Sequence, residues 1–403
     1  MNNSYKKYLV MSAAIIGGLY LACGLFNYLV DPYCIYRTGK YKPGEQVFTP
    51  SSRMSKPYWV KAFKPDSLLL GSSRTDIGLD PQHSAWGEGR VLNLALKGAL
   101  PYELMRSMEH AVMVRTPKRV LLCVDFFMMD KTSALPASFS EGRMSSTGFN
   151  ADDIASTLLS LTALEESLKK LAGGERDMTI DGMACRENER ERILKKGGYR
   201  KGFIKTENSY VQNHWRPGAP NKFNLSKPGE RSFESIRRMI EQACKEKIKL
   251  TIVISPVHSR LLMTIYLCDL WPQFQQFKRN LLEINQTETA KYGLKPFPLW
   301  DFAAPSFYNN EPVPAEGDYQ TTMSFYWECS HYTPDLGNLM LDLVLNGKSN
   351  RLKYPFGTRL DLGNINQILD SQEKMLKDYI SEHPDADAEI EAIIANYQTT
   401  LDK

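Results

Sequence analysis

The chain has 403 residues, of which 42% are hydrophobic and 24% are charged, a composition typical of a globular protein. Its 50 basic and 46 acidic residues leave a net charge of +4, which is small for this length. Such a balance lacks the basic surplus that nucleic-acid binding requires, and no RNA- or DNA-binding motif is present. We therefore expect one sizeable domain with appendages and no nucleic-acid partner.

An uncharged segment close to the amino terminus predicts a membrane anchor. No charged residue lies between Tyr8 and Val30, and the segment is rich in Leu, Ile, Ala and Gly. At about 1.5 Å per residue, such a helix crosses the roughly 30 Å hydrocarbon core of a bilayer. The alternatives are a cleaved signal peptide and a buried core helix. Because the run exceeds a signal-peptide core and no small-residue cleavage site follows, residues 1–30 are predicted to be an uncleaved transmembrane helix.

The first predicted strand, Ser67 to Gly71, follows a stretch at residues 31–66 that has the character of a juxtamembrane linker. In the sequence SLLLGSSRTD, an apolar run stops at Gly71 and two serines and an arginine follow. Ligands of open α/β sheets bind past the carboxyl ends of the strands, so Ser73 is well placed for chemistry. A turn in which the serines satisfy backbone groups explains the same residues.

Strands and helices then alternate. The second strand is predicted at Val91 to Ala95 and the third at Arg119 to Phe126, with a helix from Tyr102 to Thr116 between them. This alternation predicts parallel strands joined by right-handed crossovers.

A long polar stretch at residues 129–231 interrupts the alternation. It holds one predicted helix, Asp152 to Leu171, and the charged run RENERERILKKGGYRKG. An insertion of this length is a lid, a binding lobe or a partly disordered segment. A charged run is usually a solvated surface. The other interpretation is that the aromatic and basic residues from Tyr199 to Trp215 contact a polar polymer.

The alternation returns with a helix at Ser232 to Lys247 and a fourth strand at Lys249 to Ile254. The loop SPVHSR follows and places His258 at the same edge of the sheet as Ser73. Three roles are open for His258: structural support, a substrate contact, or a catalytic base.

A helix from Trp271 to Tyr292 and a fifth strand at Pro298 to Phe302 lead to the segment FYWECSHYTPDLG. In this segment Glu328 and His331 are three residues apart. A serine hydroxyl becomes a good nucleophile when an imidazole takes its proton and a carboxylate orients that imidazole. Ser73, His331 and Glu328 supply these three groups.

Two amphipathic segments follow a closing helix at Thr333 to Leu345. Apolar residues recur at helical spacing in Ile365 to Ile380 and in Asp385 to Leu401, which predicts a helical hairpin within residues 348–403. The apolar stripes of this hairpin either pack onto the parent domain or bind a partner.

Three short blocks resemble those of the SGNH hydrolases, the GDSL-type esterase superfamily. Gly71-Ser72-Ser73 matches the first block, NLALKG from Asn93 to Gly98 matches the second, and Glu328-Cys329-Ser330-His331 matches the last. The resemblance spans residues 66–347. It implies an α/β fold of three layers with a parallel sheet over residues 67–347, which contain the insertion.

The resemblance also implies roles for individual residues. Ser73 would be the nucleophile, His331 the base and Glu328 the acid that orients it. The oxyanion hole would be formed by Ser73, Gly98 and Asn93. The usual acid of the superfamily is Asp, and Glu328 is one methylene longer.

The third block of the superfamily departs from the pattern in this chain. An asparagine normally donates to the oxyanion there, whereas this chain has Asp125 after VLLCV. A carboxylate repels an oxyanion unless desolvation keeps it protonated. A role as oxyanion donor is thus not expected for Asp125. With Arg74, His258 and Tyr332, it is a candidate substrate-binding residue.

The anchor, the Gly-Ser-Ser turn and the Ser-His-Tyr block resemble those of membrane-anchored proteins of this superfamily that acetylate exopolysaccharides such as alginate outside the cytoplasm. The resemblance implies a serine acyltransferase or esterase that acts on an acylated polysaccharide, with a multispanning membrane O-acyltransferase as possible partner. The sequence has no HExxH, no Cys/His cluster at zinc spacing, no GxGxxG and no P-loop, so no metal or cofactor is expected. The resemblance also implies a single-pass protein of the inner membrane whose domain faces the periplasm or the cell exterior. The alternative, which Asp125 favours, is a non-catalytic glycan-binding or accessory subunit.

Overall fold

The computed structural model describes residues 3–401. Its strands are β1 (Gln46–Val47), β2 (Ser67–Leu70), β3 (Val91–Asn93), β4 (Arg119–Val124), β5 (Met178–Thr179), β6 (Lys249–Ile254), β7 (Leu299–Asp301) and β8 (Thr358–Arg359). Its helices are α1 (Asn3–Val30), α2 (Ser52–Phe63), α3 (Ser73–Gly78), α4 (Pro101–Val114), α5 (Glu141–Met144), α6 (Ala151–Leu158), α7 (Leu161–Leu171), α8 (Glu189–Lys195), α9 (Gly198–Tyr210), α10 (Arg231–Lys245), α11 (Ser259–Leu267), α12 (Trp271–Ala290), α13 (Pro334–Asn346), α14 (Ile365–Glu382) and α15 (Pro384–Leu401).

The main sheet has six strands in the order β3-β2-β4-β6-β7-β8. The first five are parallel, and β8 is antiparallel to β7. The prediction of an α/β fold with a mostly parallel sheet is confirmed. Because the chain order reverses on either side of β2, the loop after β2 lies at the switch point where open sheets bind ligands.

The sheet forms because its central strands are apolar on both faces. Leu68, Leu69 and Leu70 of β2 are fully buried, as is most of β4. Helix α10 illustrates how the spacing of apolar residues packs a helix onto the sheet. Its buried residues recur every three or four positions, which turns one face toward the sheet and toward α4 and α12; they include Phe233, Ile236, Met239, Ile240 and Ala243.

Residues 31–66, which the sequence suggests to be a juxtamembrane linker lying against the domain, do lie against it and contain secondary structure of their own. They contain β1 and α2, and the indole of Trp59 is fully buried and donates to the carbonyl of Cys34 at 2.7 Å. The ammonium of Lys56 on α2 lies 2.7 Å from Asp76 on α3 and is buried with it. The segment after the anchor is therefore part of the domain, and it supports the short helix that begins with Ser73.

The insertion at residues 129–231 is folded and contains several helices. It holds α5 to α9 together with β5, which pairs with β1. The single helix predicted from Asp152 to Leu171 is instead two helices, α6 and α7. Ser160 separates them because its hydroxyl accepts from the amide of Ala163 at 3.0 Å and so starts a new helix.

Helices occupy both ends of the described residues. The segment Ser4–Val30 of α1 is long and apolar enough to span a membrane, and none of its most apolar window is buried in the protein. Near the carboxyl terminus, α14 and α15 both pack against α11, and α15 also packs against α9. Their apolar stripes thus cover the α/β domain.

Candidate active site

Ser73, His331 and Glu328 meet at the carboxyl edge of the sheet. The hydroxyl of Ser73 lies 2.7 Å from Nε2 of His331. Nδ1 of the same ring is hydrogen-bonded to Oε1 of Glu328. The side chains of His331 and Glu328 are 25% and 15% exposed, so solvent and small molecules reach this group.

The loop after β2 presents Ser73 because Ser72 caps the following helix. The hydroxyl of Ser72 accepts from the amide of Arg74 at 3.2 Å, and its carbonyl accepts from the amide of Asp76 at 3.0 Å. Ser73 is then the first residue of α3, where its own amide is not needed for the helix. No protein acceptor within residues 3–401 takes that amide.

The segment from Phe325 to Thr333 folds back on itself and carries both remaining members of the group. Tyr326 and Tyr332 form an antiparallel bridge, which makes a tight turn of the residues between them. The carboxylate of Glu328 closes this turn by accepting from the amides of Ser330 and His331, each at 2.9 Å. The spacing of three residues thus lets one carboxylate hold both the backbone and the ring of His331.

Two glycines let the serine and histidine segments come together. A Cβ at Gly337 on α13 would lie 1.8 Å from the carbonyl oxygen of Gly78 at the end of α3. A Cβ at Gly78 would lie 2.0 Å from the ring of Tyr332. Only glycine permits this contact between α3 and α13, and the contact sets Ser73 beside His331.

The electrostatics of Glu328 suit a carboxylate that stabilises a histidine. Burial alone would raise its pKa, but the charge and hydrogen bond of His331 lower it, with help from the amide of Ser330 and the hydroxyl of Thr206. The net pKa lies below the usual value for Glu. Glu328 is therefore ionised at neutral pH and can stabilise a positive charge on His331.

A buried polar cluster, the Arg74 cluster, lies behind the three residues; its members are Ser72, Arg74, Asp125, Tyr210 and Ser330. The guanidinium of Arg74 lies 2.9 Å from Asp125 and 2.9 Å from the hydroxyl of Tyr210, and 3.2 Å from the hydroxyl of Ser330. Burial would lower the pKa of Arg74, but Asp125 and Tyr210 raise it above its ordinary value. The cluster joins the serine loop, the histidine loop and the insertion.

Asp125 does not occupy an oxyanion-donor position in this structure. One of its oxygens pairs with Arg74 and the other accepts from the hydroxyl of Ser72, and the residue is 1% exposed. Its charge is compensated inside the Arg74 cluster. Arg74 and Asp125, both predicted as candidate substrate contacts, are instead buried supports of the loops that carry Ser73 and His331.

The second block was expected to supply Asn93 and Gly98 to the oxyanion hole. In the structure Asn93 has a supporting role, whereas Gly98 keeps an unused amide within the described residues. The side-chain amide of Asn93 is fully buried and donates to the carbonyls of Thr75 and Leu79 at 2.9 and 3.2 Å. Asn93 therefore has no side-chain donor left for an oxyanion and instead holds α3 in place. Gly98 has a positive φ of 61°, open space on its Cβ side, and an amide that meets no protein acceptor within the described residues.

His258 is excluded as a base by its surroundings. It is fully buried, Nε2 lies 2.7 Å from the carbonyl oxygen of Glu311, and Nδ1 accepts from the amide of Arg260 at 3.2 Å. Burial lowers its pKa to about 3, so the ring is neutral. Of its three possible roles, structural support is the one present. Tyr332 is also fully buried, against Gly78, so neither residue reaches a substrate.

Sequence reasoning missed the contributions of α9. Thr206 supports the charge on Glu328, and Tyr210 is hydrogen-bonded to Ser330 at 2.8 Å. These residues are four apart on one helix, a spacing that places them on the same face. The sequence carried no signal that this face would meet the distant histidine segment.

A cleft of about 520 Å³ opens beside His331 and Glu328. Helices α8 and α9 form its other wall, so the charged run RENERERILKKGGYRKG borders the candidate site. Most of its charged lining is basic; the lining includes Arg186, Glu189, Arg192, Lys196, Gly198, Lys201, Gly202, Lys205 and Thr206. Gly202 brings the helix close, since a Cβ there would lie 3.9 Å from that of Glu328.

Comparisons with known protein families and with curated proteins find no match to this chain. The candidate site is therefore defined by its own geometry.

Proposed function

We propose that the protein is a serine acyltransferase or esterase that acts on the O-acyl groups of a cell-envelope or exported polysaccharide. The observation that carries this proposal is the serine–histidine–carboxylate arrangement, with 2.7 Å between the hydroxyl of Ser73 and Nε2 of His331. Such an arrangement activates a serine on many unrelated folds and is recognised by geometry. The three blocks that resemble SGNH hydrolases support the same reaction class.

In the proposed reaction, the hydroxyl oxygen of Ser73 attacks an acyl carbonyl while His331 takes the hydroxyl proton. Glu328 stabilises the imidazolium that forms. The proton then passes to the departing alkoxide, which leaves an acyl group on Ser73. Water or a sugar hydroxyl next attacks this ester, with His331 again as base, and Ser73 is released.

The developing oxyanion requires donors that are free before the reaction. The amides of Ser73 and Gly98 meet this requirement, because neither is used within the described residues. Donors of this kind are typically worth about 3 to 4 kcal/mol of transition-state stabilisation each.

The location proposed for this reaction is outside the cytoplasm, with α1 as a single-pass anchor in the cytoplasmic membrane. Support comes from the apolar helix and from the resemblance to anchored exopolysaccharide acetyltransferases. A multispanning O-acyltransferase is the proposed donor partner. Protease added outside spheroplasts should digest the domain beyond Asp31, and protection until lysis would contradict the proposed side of the membrane.

A serine-directed fluorophosphonate probe tests the chemistry directly. We expect the purified protein to be labelled and Ser73→Ala to remain unlabelled. Ser209→Ala is the matched control, since Ser209 is an exposed serine of α9. Equal labelling of wild type and Ser73→Ala would contradict the proposal and would favour the non-catalytic accessory role. Asp125 pairs with Arg74 and is 1% exposed, so it is not placed to repel an oxyanion, which supports the catalytic proposal.

A further inference from the structure

The first inference concerns the charge of the substrate and rests on the proposed function. Five basic side chains line the cleft beside His331; they are Arg186, Arg192, Lys196, Lys201 and Lys205. Glu189 pairs with both arginines, at 3.1 Å from Arg186 and through a shorter contact with Arg192. Lys196, Lys201 and Lys205 have no carboxylate partner among residues 3–401, which leaves three uncompensated positive charges in the cleft.

The surrounding backbone increases this positive character. Gly198 begins the 13-residue helix α9 and lines the cleft, so the helix contributes the free amides of its first turn. Lys201 and Lys205, like Gly198, lie on the face of α9 that looks into the cleft, at helical spacing. A positive cleft with low-dielectric walls concentrates anions. We propose that the cleft holds a negatively charged polymer, through carboxylates or phosphates, beside the acyl group that Ser73 attacks.

Binding measured without turnover separates this inference from the proposed chemistry. The probes are polygalacturonate, its methyl ester as the neutral match, and inorganic polyphosphate. We expect wild type to bind at least one of the two polyanions at low salt and to bind the methyl ester about tenfold more weakly. The polyanion preferred identifies carboxylate or phosphate as the recognised group.

A matched pair of triple variants provides the control. The preference for the charged polymer over the neutral one should be mostly lost in the cleft variant, Lys196→Gln, Lys201→Gln and Lys205→Gln combined. It should be retained in the control variant, which combines three exposed lysines outside the cleft, Lys222→Gln, Lys227→Gln and Lys249→Gln. Equal binding of charged and neutral polymers, or equal losses in both variants, would overturn the inference. Probe labelling of Ser73 reports on the proposed function separately.

The second inference concerns the α6–α7 pair, which packs against the carboxyl-terminal end of α1. The side-chain amide of Asn27 donates to the carbonyl of Leu158 at 2.7 Å and accepts from the hydroxyl of Ser167 at 2.8 Å. The ammonium of Lys170 donates to the carbonyl of Asp31 at 2.6 Å. These bonds attach the pair rigidly to the last turns of the predicted membrane span.

Helix α7 carries an apolar stripe that nothing within residues 3–401 covers. Leu161, Leu168 and Leu171 are 82%, 55% and 64% exposed, and they recur at intervals of seven and three residues. The buried face of α7 is a different one: Ser167 donates to Asn27 of α1, and Ala163 packs with Tyr33, Ile35 and Tyr58. An uncovered apolar stripe on an amphipathic helix is typical of a helix that lies in a membrane interface.

Aromatic residues continue this surface toward the domain. Tyr28 of α1 lies 5.4 Å from Tyr36, and Tyr36 stacks on Phe149 at 5.1 Å between ring centres. Tyr28 and Phe149 are 44% and 47% exposed. Tyrosine and tryptophan concentrate where a membrane meets water. We propose that α6 and α7 lie in the bilayer surface and fix the orientation of the domain above the membrane.

Cysteine accessibility in liposomes without other proteins tests this second inference on the full chain. A membrane-impermeant maleimide should label Lys169→Cys, which is 51% exposed and lies about 100° around α7 from Leu168, and should spare Leu161→Cys and Leu168→Cys. Leu19→Cys in α1 should also be spared, and labelling after denaturation confirms that each thiol is competent. The unmodified chain gives the background from its own cysteines.

The labelling patterns test the position of the α6–α7 pair separately from that of the α1 anchor. Labelling of Leu161→Cys and Leu168→Cys with Leu19→Cys protected would overturn the interfacial position and leave the anchor intact. Labelling of Leu19→Cys would overturn both. Protection of the two leucine positions in native membranes but not in liposomes would show that a protein partner, rather than lipid, covers the stripe.

Discussion

Two histidines lie at the carboxyl edge of the sheet, and their surroundings give them opposite properties. His331 is partly exposed and lies between a serine hydroxyl and a carboxylate. His258 is fully buried, with both ring nitrogens occupied by backbone groups. Position at the carboxyl edge therefore does not make a histidine a base. The decisive feature is which atoms its two nitrogens meet.

The largest expected effect comes from removing the imidazole at the proposed site. His331→Ala should lower esterase turnover by roughly 10³- to 10⁶-fold, because no other group takes the proton of Ser73. Ser73→Ala should cost about the same, and the double variant no more, since the residues act as one unit. Steady-state kinetics with an activated ester measures this. Full activity in His331→Ala together with loss in His258→Ala would exchange the roles of the two histidines.

Glu328→Gln should cost less than His331→Ala. The amide removes the negative charge beside the imidazolium, and we expect a loss of about 10²- to 10⁴-fold in kcat. Folding should be retained, because the single oxygen of glutamine keeps one of the two amide hydrogen bonds that Glu328 accepts through separate oxygens, from Ser330 or from His331. Circular dichroism and kinetics on the same sample separate the two effects. A turnover equal to wild type would show that Glu328 only shapes the turn.

Asp125→Asn tests whether Asp125 stabilises the Arg74 cluster behind the candidate site. It leaves the buried guanidinium of Arg74 without its counter-charge, which should lower the free energy of unfolding by roughly 3 kcal/mol. Turnover per folded molecule should stay within a few-fold of wild type, since Asp125 does not face the reacting atoms. Urea unfolding and active-site titration measure both quantities. A clear gain in turnover with unchanged stability would place Asp125 at the oxyanion after all.

Acidification should weaken the fold through His258. Its folded pKa of about 3 lies below the ordinary 6.5, so the unfolded chain binds the extra proton first. This contribution is intact above pH 7 and is lost as pH falls from about 6.5 toward 3. Between pH 7 and pH 5 the loss is about 2 kcal/mol.

His258→Gln removes the titrating imidazole and should reduce the fall in unfolding free energy between pH 7 and pH 5. The comparison is the difference in unfolding free energy between pH 7 and pH 5, measured with urea for wild type and for the variant. Other buried groups titrate in both proteins and cancel in this comparison. An equal decline in the two proteins would mean that His258 is not held neutral.

The sequence by itself determined the positions of the parallel strands of the main sheet and the local pairing of Glu328 with His331. Apolar runs closed by glycine or polar residues locate strands because burial on both faces requires continuous hydrophobicity. The spacing of Glu328 and His331 is likewise local, since one turn brings the carboxylate onto the ring. These features depend on neighbours in the chain and are readable from it.

Tertiary structure alone decided which side chains meet across long separations. The pairing of Asp125 with Arg74, the contact of α9 with Glu328 and the domain role of residues 31–66 depend on how closely backbones approach. The contact between Gly78 and Gly337 sets that approach at the site, and such a distance has no signature in local composition. The same reason explains why one histidine became the candidate base and the other a buried support.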